Sequence, residues 1–415
     1  MKFTYRPAIG IASLSTSIFL SGIGDASQHQ GSTDGTNLIA RARAIHAETP
    51  LIDGHNDLPW QLRTRAARDF ERLDLSSAQP ALQTDIPRLR AAGLGAQFWS
   101  AYIPPDSPNG VTATLEQIDL IHRLVQRYPD SFEAATTADD IERAFTRHKI
   151  ASLIGIEGGH SIANSLVVLR MFHQLGVRYM TLTHALNTDW ADSATDTPRH
   201  NGLSPFGEQV IREMNQLGTL VDLSHTSVDT MKHAIRIAAA PVIFSHSAAR
   251  SLNDIRRNVP DEVLRLLPKN GGIVMLTFTP DHISAPLVGW NRRRTAERQR
   301  LQLQLGLDQP ATNKSLAAWM ATNPVPRVRL AEVVDHIDHI RKIAGGEHIG
   351  LGGDFEGMVV GPESLEDVSG YPALTAEMLR RGYAERDIKK ILGLNMLRVM
   401  RASETAAARL QSTAR

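Results

Sequence analysis

The stretch Leu51-Ile52-Asp53-Gly54-His55-Asn56-Asp57 runs from apolar residues into His-x-Asp, which sets an imidazole and a carboxylate two residues apart. Alternate side chains of an extended chain share a face, so His55 and Asp57 can converge on one cation while Asn56 points away. Taken alone, the motif reads as a hydrogen-bonded pair at a strand end. Its recurrence argues for more. Glu157 closes the run Ala151-Ser152-Leu153-Ile154-Gly155-Ile156, His225 follows Leu220-Val221-Asp222-Leu223-Ser224, His246 follows Val242-Ile243-Phe244-Ser245, and Asp354 follows Ile349-Gly350-Leu351-Gly352-Gly353. A core histidine with one backbone partner, or an acid capping the next helix, explains any single case and explains five poorly. Cysteine is absent from the chain, which leaves His, Asp and Glu as ligands for a catalytic divalent cation.

Side chains so distant in the chain need elements that bring them to one place. Short apolar runs of this kind read as strands buried on both faces, and a parallel sheet presents all their carboxyl ends on one side. Strands are expected at 50–52, 96–102, 151–157, 219–223, 241–246, 273–278 and 349–353, with helical patterns at 38–46, 115–128, 139–147, 165–175, 205–217, 227–238, 261–267 and 330–344. The alternation favours a parallel sheet covered by helices. Polar groups at many strand ends favour a closed (β/α)8 barrel of the TIM type, an α/β fold that builds its active site at that face. A doubly wound open sheet is the second reading, but it concentrates ligands at a single switch point. Residues of about 285–326 break the rhythm as an inserted helical segment that includes the basic run Trp290-Asn291-Arg292-Arg293-Arg294. Charge runs ordinarily face water. The functional alternative is a lid whose Arg292, Arg293 and Arg294 attract an anionic substrate end.

With 415 residues, 42% hydrophobic and 21% charged, the chain can bury one barrel-sized core. Forty-five basic against 44 acidic residues give a net charge of +1, which argues against nucleic acid as a partner. Residues 1–27 join Lys2 and Arg6 to an apolar stretch and then to small residues, the pattern of a secretory signal peptide. That stretch is too short and too interrupted for a stable membrane anchor, so the expected location is periplasmic or secreted. Residues 28–37, rich in Gly, Ser, Thr and Asp, read as a flexible linker. This leaves 38–415 as a single catalytic domain.

Several stretches resemble the membrane (renal) dipeptidases, binuclear zinc peptidases related to the metal-dependent amidohydrolases. The resemblance begins with Ile52-Asp53-Gly54-His55-Asn56-Asp57 and Gly93-Leu94-Gly95-Ala96-Gln97-Phe98-Trp99-Ser100, and continues through Gly155-Ile156-Glu157-Gly158-Gly159, Leu182-Thr183-His184 and Leu223-Ser224-His225. It ends with Phe244-Ser245-His246-Ser247, Arg256-Arg257-Asn258-Val259-Pro260 and Gly352-Gly353-Asp354-Phe355-Glu356-Gly357, in the family's order. It implies two Zn2+ per chain, one held by His55 and Asp57, the other by His225 and His246, with Glu157 bridging and a shared water as nucleophile. It further implies that Asp354 transfers the proton, that His184 polarises the scissile carbonyl, and that Arg257 pairs with the terminal carboxylate of a dipeptide. Without it, His184 is a strand-end histidine of unknown role and Arg257 a surface charge. Asp222 and Asp192 read as solvated or capping acids, with support of the ligands as the alternative.

The chain departs from the family pattern at Phe278-Thr279-Pro280, where an aromatic often follows the Phe, and this bears on side-chain preference. A homodimer is implied by the resemblance alone. Two other functions remain open from sequence: a binuclear-metal amidohydrolase acting on another amide, lactam or lactone, and a metal and peptide-binding protein without turnover. Cobalt or manganese could occupy the same ligands.

Overall fold

The first strand, β1 (Leu51–Asn56), is buried along its whole length and is followed by β2 (Leu94–Tyr102), β3 (Phe132–Ala134), β4 (Ile150–Glu157) and β5 (Val177–Thr181). Four more complete the set: β6 (Leu220–Asp222), β7 (Ile243–Ser247), β8 (Ile273–Leu276) and β9 (Ile349–Leu351). The computed structural model describes residues 26–306 and 308–413. The sheet order is β2-β1-β9-β8-β7-β6-β5-β4-β3, and a further β2–β4 pairing closes it. Eight parallel strands therefore form a barrel, with β3 as an outlier. β3 pairs with Ile150 to Ser152 at the start of β4, ahead of the place where β5 pairs with Ile154 to Glu157. The architecture is the (β/α)8 barrel expected from the alternation of runs, and all strands deliver their carboxyl ends to one rim.

Local chemistry sets the covering helices. Helix Pro205–Leu217 has Ser204 accepting from the Gly207 N–H at its start, Pro205 in its first turn and Gly218 left-handed at its end (φ 80°), the usual asymmetry of helix ends. Helix Ala138–Thr146 opens with a reciprocal box between Thr137 and Asp140. The last helix, Asn395–Thr413, packs on helix Pro205–Leu217 and on β8 and β9.

Inside the barrel, glycine makes room for an aromatic. A Cβ on Gly155 of β4 would lie 2.0 Å from the Tyr179 ring, so β4 can host the fully buried Tyr179 of β5 only because residue 155 lacks one. The phenol reaches across to β1, donating to the Gly54 carbonyl at 3.1 Å and meeting His55 Nδ1 at 2.8 Å. Packing inside the barrel thus orients a candidate ligand.

Two expectations differ from the structure. Neither β3 nor β5 has a counterpart among the expected strands; β3 is only three residues long, and in β5 Arg178 interrupts the apolar run. That side chain is half-buried and donates to the carbonyls of Thr136, His173 and Val177. Residues 28–37, expected as flexible linker, fall within the helix Ala26–Glu48. Its later turns bury Ala42 and Ile45, and once a packed segment has nucleated a helix each added residue costs little. The signal peptide expected over 1–27 lies outside the described residues apart from its last two.

Gly155 does not have a positive φ, so Gly155→Ala tests steric fit and not backbone strain. Overpacking of this kind costs about 1–3 kcal/mol. A lowered urea midpoint is the expected outcome, and an unchanged midpoint would show that Tyr179 can move aside freely.

Candidate metal centre

At the carboxyl rim the candidate residues from β1, β4, β6, β7 and β9 converge. With His184, which follows β5, their ligand atoms fall into three groups, the atoms of each lying within 4.8 Å of one another: His55, Glu157 and His246; Glu157, His184 and His225; His55, Asp57 and Asp354. Glu157, the last residue of β4, divides them. Its Oε2 lies 3.5 Å from His55 Nε2, while its Oε1 lies 3.0 Å from His225 Nε2, 3.4 Å from His246 Nε2 and 3.6 Å from His184 Nε2. His55 Nε2 is also 3.5 Å from Asp57 Oδ2.

The local backbone explains how each side chain arrives. β1 ends at Asn56, so Asp57 reaches His55 from the turn into helix Leu58–Ala66 and not by strand alternation; it holds the N-cap position without making a side-chain cap bond. Asn56, expected to point away, does so. Its amide donates to Thr84 Oγ1 at 3.0 Å, and its carbonyl accepts from the Leu58 N–H at 2.9 Å. His225 and Asp354 each follow a strand end in a left-handed conformation, with φ 65° and 64°. Such conformations are uncommon for residues with a Cβ and persist where surroundings impose them.

The outward ring nitrogens of His55 and His246 are engaged. His55 Nδ1 meets the Tyr179 hydroxyl, and His246 Nδ1 meets Ser245 Oγ at 2.8 Å. Ser245 Oγ donates in turn to Asp222 Oδ2 at 2.6 Å. The inward atoms are left to each other: His225 Nε2 and His246 Nε2 approach to 2.9 Å, and the buried His55 Nε2 and Asp57 Oδ1 lack any hydrogen-bond partner. Burial, together with the charge of Arg257 and of neighbouring histidines, holds His225 and His246 well below the ordinary imidazole range. They are therefore neutral, as metal ligation requires. Burial alone would raise Glu157, but His55, His184 and the hydrogen bonds of His225 and His246 hold its carboxyl well below the usual range. Nitrogen and oxygen donors on both sides of one carboxylate suit a pair of zinc ions.

Asp222, read from sequence as a solvated or capping acid, is fully buried. Besides Ser245 Oγ it accepts from the Ser224 and Ser245 N–H groups, at 3.1 and 2.8 Å. Asp192 accepts from the N–H groups of Arg199, His200 and Gly202 and so braces its own loop. Sequence reasoning missed Tyr179 and Gly357. A Cβ on Gly357 would sit 2.5 Å from both Asp57 Oδ2 and Asp354 Oδ1, so a bare backbone packs against the two carboxylates. Nothing in a one-dimensional pattern distinguishes such a glycine from a turn residue.

Above the cluster opens a cavity of about 1070 Å³. Arg257 lines it from the loop after β7 and is buried, donating to Ser247 Oγ at 3.1 Å and to the His246 carbonyl at 3.2 Å. Burial pushes its guanidinium down to about 10, against the pull of Asp354, Glu157 and Asp222, so it stays charged at neutral pH. His184 follows β5 and is kept below the ordinary imidazole range chiefly by burial. Asp354 accepts from Thr279 Oγ1 at 2.6 Å.

A closed parallel barrel whose rim gathers paired nitrogen and oxygen donors beneath an open cavity defines a metal-dependent hydrolase. The family model described as membrane dipeptidase (peptidase family M19) matches residues 39–414. The chain belongs to that family. It is 44% identical to mouse Dipeptidase 3 over 374 residues, covering 88% of this chain and 67% of that one. It is 39% identical to Dipeptidase verJ of Clonostachys rogersoniana over 388 residues, covering 90% and 89%. Among solved structures, the probable dipeptidase PvdM from Pseudomonas aeruginosa shares the fold with a TM-score of 0.77 at 23% identity, covering 90% of this chain and 100% of that one. A metallo peptidase from Rhodobacter sphaeroides liganded with a phosphinate mimic of the dipeptide L-Ala-D-Ala shares it with a TM-score of 0.70 at 22% identity, covering 86% and 99%.

Burial, reinforced by Asp57 and Glu157 and opposed by His55 and Thr279, pushes Asp354 from 3.8 up to about 7. The folded chain then keeps a proton that the unfolded chain has lost, so this group's contribution to stability falls as pH rises through that interval. In metal-free protein Asp354→Asn is expected to raise the denaturation midpoint, and by more at pH 8 than at pH 5. A gain that does not grow with pH would refute the assignment.

Proposed function

We propose that the chain is a binuclear zinc dipeptidase in which His55 and Asp57 would hold one ion, His225 and His246 would hold the other, and Glu157 would contribute to both. The observation that carries this reading is the division of Glu157, with one oxygen toward His55 and the other toward His225 and His246. When bound, the two ions supply an activated water and polarise the scissile carbonyl.

The chain's own residues supply the rest. Tyr179 and Ser245 fix the outward nitrogens of His55 and His246, which aims the inward ones. Asp354, held by the Thr279 hydroxyl, would act as the carboxylate, taking a proton from the activated water and passing it to the leaving amine. His184, neutral and beside Glu157, donates to the carbonyl oxygen as it gains charge. Arg257 offers a braced guanidinium to the free carboxylate of the substrate, and its place in the cavity wall would set the length of chain accepted. The composition of residues 1–27 supports export to the periplasm or beyond, and no helix among the described residues is long and apolar enough to cross a membrane. A homodimer belongs to the same reading and rests on the resemblance alone.

Zinc-loaded protein is expected to hydrolyse unblocked dipeptides. Amidation of the C-terminus removes the partner of a buried charge, which costs 2 kcal/mol or more and lowers kcat/KM by roughly thirtyfold or more. Arg257→Met is expected to erase that difference. Equal rates on free and amidated dipeptides, or on long peptides, would overturn the reading.

A further inference from the structure

The cavity is larger than two small residues require. Its volume of about 1070 Å³ stands at the top of the range of roughly 300–1,000 Å³ that houses drug-sized ligands. Part of its wall comes from helix Ala285–Leu305 of the inserted segment. Val288, Asn291, Arg292, Thr295, Ala296 and Gln299 line it at spacings of three, one, three, one and three residues, which is a single helical face. That face is mostly polar. The helix is fixed from behind by the buried Trp290, whose Nε1 donates to the Asn323 carbonyl at 2.8 Å, and at the rim by Asn291, whose amide donates to Asp281 at 2.6 Å.

Its cations do not all face alike. Arg294 stacks on Trp290 at 5.2 Å and Arg300 pairs with Glu297 at 2.7 Å, whereas Arg292 faces the cavity. From the opposite loop Arg256 faces it too, directly preceding Arg257. Neither Arg256 nor Arg292 forms an ion pair among the described residues. Asp281 lines the same cavity and accepts from the Asn291 amide.

We propose that Arg256 and Arg292 form a second anion subsite that selects dipeptides carrying a carboxylate side chain on their C-terminal residue. The inference rests on the dipeptidase reading: if Arg257 takes the α-carboxylate, the side chain of that same residue starts from the neighbouring carbon and reaches the wall beside it. Both arginines are exposed, so each pair with a carboxylate is worth roughly three- to fivefold in affinity, and the two together about tenfold.

The test compares Ala-Glu with its neutral isostere Ala-Gln on the zinc-loaded protein. The wild type is expected to favour Ala-Glu about tenfold in kcat/KM. Arg256→Gln combined with Arg292→Gln brings the ratio toward one, and Arg292→Glu turns preference toward Ala-Lys. Arg293→Gln, on the same helix but outside the cavity wall, keeps the wild-type ratio. A wild-type ratio near one, or a ratio that survives the double substitution, overturns the subsite. The same ratio read as dissociation constants by calorimetry decides the matter even in a chain that binds dipeptides without cleaving them, which separates failure of the subsite from failure of hydrolysis.

Discussion

Glu157 is buried at the end of β4 among imidazoles, and the rest of the site follows from what such a carboxylate demands. His225 Nε2 and His246 Nε2, 2.9 Å apart beside its Oε1, cannot both donate into the same space. His55 Nε2 and Asp57 Oδ1 have no hydrogen-bond partner among the described residues. Buried polar atoms left this way cost free energy that packing does not return. Bound cations would give these atoms partners, provided that the donors stay where they are.

The barrel holds them with two buried aspartates used in the same manner. Asp53 of β1 accepts from the His55 N–H at 3.1 Å and from the Gly353 N–H beyond β9 at 2.9 Å. Asp222 of β6 accepts from the Ser224 N–H of its own chain end and from the Ser245 N–H of β7. Each acid ties its own strand end to a neighbouring one at the point where the backbone leaves the ladder. Burial pushes Asp53 up to about 6, against those same N–H bonds, Tyr371 and His55, a cost the fold accepts to keep the rim rigid. The left-handed His225 and Asp354 lie immediately beyond these clamps. Strain of this kind is sustained where surrounding bonds over-determine the backbone.

The same distinction explains what the amino-acid sequence made legible. Residues that must be a particular chemical type, such as His55, Glu157, His225 and His246, stand out because each ends an apolar run, and the runs announce the barrel. β5 was hidden because Arg178 interrupts its run, although the arginine spends its donors on backbone carbonyls. Asp222, inside an expected strand, reads from sequence as a solvated or capping acid; its burial depends on the three-dimensional neighbour β7. Gly155 and Gly357 act through what they leave out, a Tyr179 ring in one case and two carboxylates in the other. Arg256 and Arg257 are adjacent and identical in type, yet one is exposed and the other buried against Ser247. Only the course of the loop after β7 separates them.

That loop and the inserted helix also show where specificity can vary without disturbing chemistry. The strand ends are locked by Asp53, Asp222, Tyr179 and Ser245, so a change there moves a ligand. Among the described residues, no hydrogen bond joins helix Ala285–Leu305 to that network. It is anchored on Asn323 and on Asp281. Thr279 stands between the two regimes: its hydroxyl holds Asp354 at 2.6 Å while the residue also lines the cavity. A large aromatic at this position would occupy cavity space and forgo that hydroxyl contact. The smaller residue therefore couples a wider substrate space to a carboxyl kept in place by one more hydrogen bond, and the wall opposite is free to read whatever side chain fills that space.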